Sequence, residues 1–147
     1  MLKKMSNWAS NKRFAYLRGK QAGYRSGLEE DIAKQIKQET GEDAKYEQSV
    51  IEYIDPTTHK YHPDFVLPNG IIIETKGYFL SKDRTKHLWI KKQYPNIDLR
   101  FVFNNSKAKL NKNSKTSYGD WCDKHGFKYA DKTIPLTWFK EVRISLI

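Results

Sequence analysis

Apolar and polar positions change period several times along the 147-residue chain, and each change marks an element. Leu28, Ile32, Ala33 and Ile36 recur three to four apart, which predicts an amphipathic helix over Leu28 to Thr40. Ser26 is placed as its N-cap, Glu29 as the N3 partner of a capping box, and Gly41 as the residue that ends it. Farther on, the helical period gives way to short apolar runs. Phe65-Val66-Leu67 and Ile71-Ile72-Ile73 flank Pro68-Asn69-Gly70. Proline fixes φ there, and Asn and Gly tolerate positive φ, so the segment reads as an antiparallel hairpin centred on Asn69. Asp83 to Tyr94 reads as a helix with Leu88, Trp89 and Ile90 among basic residues, stopped by Pro95, and Leu99 to Phe103 as a buried strand. Ser117 to His125 is a further helix closed by Gly126, Phe127 to Tyr129 a short strand, and Pro135 to Val142 a last helix with Trp138 packed inward. These elements predict an α/β fold in which a mixed β-sheet is flanked by helices.

Symmetric pairing about Asn69 makes facing positions sum to 138, so Asp64 lies opposite Glu74 at about 5 Å. Strand alternation sends Glu74 and Lys76 to one face and Thr75 to the other. Ile71-Ile72-Ile73 is apolar on both faces, which predicts a strand covered on both sides, with the charges at its end on the rim of a core. Carboxylates that close repel, and one pKa rises unless a cation between them restores both to the ionised form. Hard oxygen donors suit Mg²⁺ or Mn²⁺. The alternative is a solvated hairpin whose outer face carries Asp, Glu and Lys. Glu29 offers a third carboxylate, because on a helical wheel it falls inside the apolar stripe whereas Glu30 and Asp31 point outward. It either faces the hairpin or reaches back to the backbone of Ser26 as a capping-box residue.

Charge narrows the partners. The net charge is +10 at pH 7, and residues 1–28 hold Lys3, Lys4, Lys12, Arg13, Arg18, Lys20 and Arg25 with no acidic residue. Trp8, Phe14, Tyr16 and Tyr24 are interleaved with them. Residues 1–20 read as a basic arm that follows a phosphate backbone, and 21–147 as a single domain with one core. Asn104 to Lys115 is a second acid-free basic stretch, a loop whose Lys107, Lys109, Lys112 and Lys115 touch phosphate. A plain solubilising surface is the alternative for both. Met1 to Lys20 lacks the apolar core of a signal peptide and no run approaches membrane-spanning length, so a soluble protein without membrane contact is expected. Cys122 stands alone and reads as a partly buried thiol in a reducing compartment. His59, His62, His87 and His125 are scattered and without paired cysteines, which argues against zinc. His87 is expected to face phosphate or help close the groove.

Several segments carry a resemblance to a known family. Tyr24-Arg25-Ser26-Gly27-Leu28-Glu29, Pro63-Asp64-Phe65, Leu67-Pro68-Asn69-Gly70, Glu74-Thr75-Lys76-Gly77, Lys86-His87-Leu88 and Ser117-Tyr118-Gly119 resemble, in the same order, those of the phage endonuclease I family. The likeness runs from about residue 21 to residue 141, through Lys124-His125-Gly126, Ala130-Asp131-Lys132 and Trp138. Members are Holliday-junction resolvases similar in fold and site to PD-(D/E)xK nucleases. The resemblance implies a restriction-endonuclease-like core in a segment-swapped homodimer that acts on branched DNA and four-way junctions, leaving 5′-phosphate and 3′-hydroxyl ends. It implies one divalent ion, Mg²⁺ or Mn²⁺, on Asp64, Glu74 and the Thr75 carbonyl, a second on Glu29 and Asp64, and Lys76 orienting or deprotonating the attacking water. Glu29 would come from one subunit and Asp64, Glu74 and Lys76 from the other, with the stretch from Tyr46 to His62, including Asp55-Pro56-Thr57-Thr58, as the bridge. Arg13, Arg18, Lys20, Arg25, Arg84, Lys86, His87, Lys107, Lys109, Lys112 and Lys115 are the expected DNA contacts. A phage or prophage protein working in the bacterial cytoplasm is implied. Three departures from the expected pattern stand out: Lys45 where relatives carry an acidic residue, an apolar ending, Val142 to Ile147, in place of a basic tail, and a longer N-terminal arm. The competing readings are a related nuclease that cuts duplex or mismatched DNA, and a non-catalytic basic DNA-binding protein.

Overall fold

The computed structural model describes residues 23–142. In chain order these contain α1 (Gly27–Thr40), β1 (Ile51–Asp55), β2 (Thr57–Tyr61), β3 (Phe65–Val66), β4 (Ile72–Lys76), α2 (Ser81–Gln93), β5 (Leu99–Phe103), α3 (Tyr118–His125), β6 (Tyr129–Asp131) and α4 (Leu136–Lys140). The central sheet has the order β3-β4-β5-β6, and β1 pairs only with β2. β3 runs antiparallel to β4, whereas β4, β5 and β6 are parallel, with α2 and α3 in the crossovers. This is the mixed α/β sheet flanked by helices that the sequence predicts.

Strand alternation divides the core in two. On one face Ile72, Phe101 and Phe103 meet Phe79, Ile90, Tyr118, Trp121, Cys122 and Phe127, an aromatic layer under α2 and α3. On the other, Phe65, Ile71, Ile73 and Val102 meet Leu28, Ile32, Ala33 and Ile36 of α1, with Trp138 of α4. Ile71, Ile72 and Ile73 are all buried, as a strand covered on both sides requires. Leu99–Phe103 is buried along its whole length for the same reason.

Local signals set the ends of the elements. The Ser26 hydroxyl accepts from Glu29 N at 3.2 Å, and Gly41 closes α1 at φ 75°. Ser117 and Asp120 form a reciprocal capping box at the start of α3, and Gly126 ends it. The hairpin pairs Phe65 with Ile73 and Val66 with Ile72, the register that sums to 138. Only Gly70 uses a positive φ, at 89°, while the Asn69 side chain ties the turn to Trp138 O and Glu141 O at 2.7 and 3.0 Å.

Some expectations shift. α2 begins two residues before Asp83, because the Asp83 carboxylate reaches back to Leu80 N. β6 spans Tyr129–Asp131 rather than Phe127 to Tyr129, because pairing with β5 begins at Tyr129 and Phe127 is drawn into the aromatic layer. The Tyr46 to His62 stretch folds back on itself: β1 and β2 form a hairpin about Pro56, with Tyr53 and Tyr61 in the core and Gln93 bonded to both backbone groups of Ile54. Cys122 is fully buried rather than partly so, and burial pushes its thiol up to about 12.

Candidate active site

The hairpin register puts Asp64 and Glu74 one pair beyond Phe65 and Ile73, at the open end of the β3–β4 ladder. Both are buried, at 1% and 3% exposure. One oxygen of Asp64, Oδ2, accepts from Thr75 N at 2.9 Å and from the Thr75 hydroxyl at 2.8 Å. Glu74 lies on the aromatic face, where Oε2 accepts from the Tyr61 hydroxyl and Oε1 lies 3.5 Å from Lys76 Nζ. Lys76 in turn lies 3.6 Å from Asp83 Oδ1, so the ammonium is held between α2 and the end of β4. Burial first, and the Asp64 charge second, push the Glu74 carboxyl up to about 7 against the pull of Lys76 and Tyr61. Burial also raises the Asp64 carboxyl, opposed by the Thr75 hydrogen bonds and by Arg25 and Lys76.

Glu29 arrives from the first turn of α1 and is buried, as its place in the apolar stripe predicts. It does not form the capping box with Ser26. Its Oε2 accepts instead from Arg25 N at 3.1 Å and from the Tyr46 hydroxyl. Burial raises the Glu29 carboxyl, and the Asp64 charge adds to the rise. Arg25 joins the two acids: its Nη2 is 3.1 Å from Asp64 Oδ1 and also pairs with Glu47, while its Nε is 3.9 Å from Glu29 Oε1 and 3.2 Å from the Tyr46 oxygen. Glu30, expected to face outward, is buried and pairs with Lys34 at 2.9 Å. The start of α1 is covered beyond its apolar stripe, which a wheel drawn from the helix alone does not register.

A pattern runs through the three acids. In each, one oxygen is held by uncharged donors and the other faces a side-chain cation: Lys76 for Glu74, Arg25 for Asp64 and Glu29. Among the described residues no three His, Cys, Asp or Glu side chains form a group able to hold a metal ion by themselves. The donor set still fits a hard divalent cation, since such an ion takes one or two carboxylates and completes its shell with backbone and water oxygens. Two acids whose charge is penalised by burial also gain from a cation between them.

The expected DNA contacts are placed unevenly. Arg13, Arg18 and Lys20, with the whole 1–20 arm, lie outside the described residues. Lys107, Lys109, Lys112 and Lys115 are exposed on an ordered loop, pinned where Ser106 bonds Asp131 through both its amide and its hydroxyl. Arg84 turns toward the Phe79 carbonyl, and Lys86 lies 5.3 Å above the Tyr61 ring. Arg25 is turned onto carboxylates. His87 corrects the expectation: it is fully buried, edge-on to Tyr61 and Phe101 at 5.3 and 5.0 Å, so it does not face phosphate. Its burial, with Lys86 and Lys76 nearby, lowers its pKa well below the usual value and keeps it neutral at pH 7. The apolar character of its neighbours, not its position in a basic helix, decides its role. Tyr46, Tyr61 and Glu47 touch these residues, and the sequence does not single them out. The stretch joining Glu29 to Asp64 holds three tyrosines, Tyr46, Tyr53 and Tyr61, and no period sets the two that reach the site apart from Tyr53.

A mixed sheet flanked by helices thus carries Asp64, Glu74 and Lys76 at the ends of two paired strands, with an acid from the preceding helix linked to them through Arg25. Residues 8–146 match the family described as phage endonuclease I. The chain is 50% identical over 123 residues to Endonuclease I of Escherichia phage T7, covering 83% of this chain and 82% of the relative. It is 52% identical over 119 residues to Endodeoxyribonuclease 1 of Enterobacteria phage T3, covering 80% and 78%. The protein belongs to the phage endonuclease I family.

Proposed function

We propose that the protein is a divalent-metal-dependent endodeoxyribonuclease that resolves four-way DNA junctions by paired nicks. The observation that carries this reading is the convergence of Asp64, Glu74 and Lys76 on one strand end with Glu29 alongside, in a chain similar to a named endodeoxyribonuclease. Asp64, Glu74 and the Thr75 carbonyl would hold one Mg²⁺ or Mn²⁺, and Glu29 with Asp64 a second. Bound there, the ions would lower the pKa of water and neutralise charge on the leaving 3′-oxygen. Lys76, held between Glu74 and Asp83, orients the attacking water as an ammonium or, having first given up a proton, takes one from it. The 5′-phosphate and 3′-hydroxyl products follow from attack at phosphorus with the 3′-oxygen leaving.

In the same reading residues 21–147 are the nuclease domain and 1–20 a basic arm on DNA, with Arg13, Arg18 and Lys20 beside the exposed lysines of the 107–115 loop. A homodimer suits the substrate, because two sites can cut two strands of a roughly two-fold symmetric junction. Exchange of segments would take Glu29 from one subunit and the hairpin from the other. The described single chain has both in contact with Arg25. No helix among the described residues is long and apolar enough to cross a membrane, and the bacterial cytoplasm is the proposed place of action. The test is cleavage of a labelled four-way junction against a linear duplex of the same arm sequences, with Mg²⁺ and with EDTA. Paired nicks near the branch point, lost in EDTA while the duplex survives, are expected. Equal cutting of the duplex would favour a general nuclease, and tight binding without cutting would contradict an enzyme.

A further inference from the structure

We propose that Tyr46 and Tyr61 are positioning residues: each hydroxyl holds one oxygen of a catalytic carboxylate, Glu29 and Glu74 respectively, so that only the other oxygen is offered to a cation. The inference rests on the reading of these acids as the nuclease site and adds to it the groups that aim them.

Packing fixes both phenols independently of the bonds they make. Tyr61 is 3% exposed, with His87 edge-on at 5.3 Å and the Lys86 ammonium 5.3 Å over its ring. Tyr46 packs against Tyr24 at 4.8 Å and Phe65 at 5.4 Å, and its backbone is bridged to Phe65 at the start of β3. Each ring thus belongs to a core rather than to the acid it touches. A phenol has one proton to donate, so each hydroxyl can hold one carboxylate oxygen and no more. It brings no charge, and therefore does not compete with a divalent ion as an arginine or lysine in its place would. Thr75 serves Asp64 in the same way, through its amide and hydroxyl on Oδ2.

The geometry has a second consequence. Tyr46 and Tyr61 both belong to the segment that joins α1 to β3, so one connecting segment clamps an acid from α1 and an acid from β4. Groups that orient metal-binding side chains typically change affinity by about 10–100-fold when removed. Phenylalanine preserves the ring and its packing while freeing the acid to rotate.

The experiment uses the full-length protein and the variants Tyr61→Phe, Tyr46→Phe and Glu74→Gln. Mn²⁺ binding is measured calorimetrically without DNA, junction cutting is measured against Mg²⁺ concentration, and thermal unfolding is followed in EDTA. Each tyrosine variant is expected to weaken Mn²⁺ binding by about 10-fold or more and to raise the Mg²⁺ needed for half-maximal cutting in proportion, with KM for the junction unchanged. A merely structural role would lower the unfolding temperature and leave the metal dependence where it was. Unchanged Mn²⁺ affinity in both variants overturns the proposal. Should Tyr61→Phe fail to fold, the half-buried Tyr46→Phe decides alone, and unchanged affinity there overturns it. Glu74→Gln separates the two levels: if it still binds Mn²⁺ and cuts, the site reading fails and takes the inference with it. If it loses both while the tyrosine variants behave as wild type, only the inference fails.

Discussion

Glu74→Gln, studied in protein kept free of metal, should make the fold more stable at alkaline pH and leave it unchanged at acid pH. Glu74 is buried at the end of β4, and desolvation together with the Asp64 charge moves its carboxyl from 4.5 to about 7. Between those values the folded protein binds a proton that the unfolded chain has released. The stability tied to this group is therefore whole below about 4.5 and is lost as pH rises through 7. A displacement of that size corresponds to about 3 kcal/mol, the cost of carrying a charged Glu74 in the interior above pH 8. Glutamine keeps the shape and leaves a carbonyl oxygen for the Tyr61 hydroxyl, but it never ionises. Urea unfolding followed by tryptophan fluorescence in EDTA, from pH 5 to pH 9, measures the difference. The two proteins should unfold together near pH 5 and separate progressively above it, with the variant more resistant. Parallel curves across the range would refute the claim that burial and Asp64 oppose ionisation here.

His87→Leu should remove a pH dependence of the opposite sign. The folded pKa of His87 lies well below 6.5, so its contribution is whole above that value and lost as pH falls. Melting temperatures from pH 7 down to 4.5 should fall less in the variant than in wild type, and equal slopes would contradict the buried neutral imidazole. Asn69→Ala cuts the turn loose from Trp138 O, Glu141 O and the Ile71 amide, and should cost about 1–3 kcal/mol by denaturant unfolding. No loss there would mean that the turn holds without α4. Phe101→Ala empties the centre of the aromatic layer, where the ring meets Phe79, His87, Phe103, Trp121 and Phe127, and should cost about 3–5 kcal/mol in the same assay.

What was legible in the sequence was local or periodic. Pro68-Asn69-Gly70 between two apolar runs determines a register, and Phe65 with Ile73 and Val66 with Ile72 pair in it. Ser26, Gly41, Ser117 and Gly126 mark helix ends because backbone groups there need a hydroxyl or a positive φ. The apolar stripe of α1 correctly turns Glu29 inward, since a wheel captures which side faces the sheet. Contacts between distant segments left no such trace. Nothing in the Tyr46 to Tyr61 stretch announces that its end residues reach acids on two other elements, because no period relates them. Arg25 looked like one more cation in an acid-free arm, yet its partners Glu47 and Asp64 come from beyond α1. His87 stands beside Lys86 in sequence, which suggests a phosphate-facing imidazole, while in space Tyr61 and Phe101 enclose it. Lys45 is exposed.

The central claim is that Asp64, Glu74 and Lys76 form a metal-dependent cutting site rather than a charged rim of a DNA-binding surface. Its most direct test compares wild type and Glu74→Gln on one labelled four-way junction, scoring binding by gel shift and cutting in Mg²⁺ on the same preparations. The account predicts equal binding, with cutting abolished in the variant and in wild type treated with EDTA. Junction cutting that survives Glu74→Gln in a variant that binds normally would contradict it.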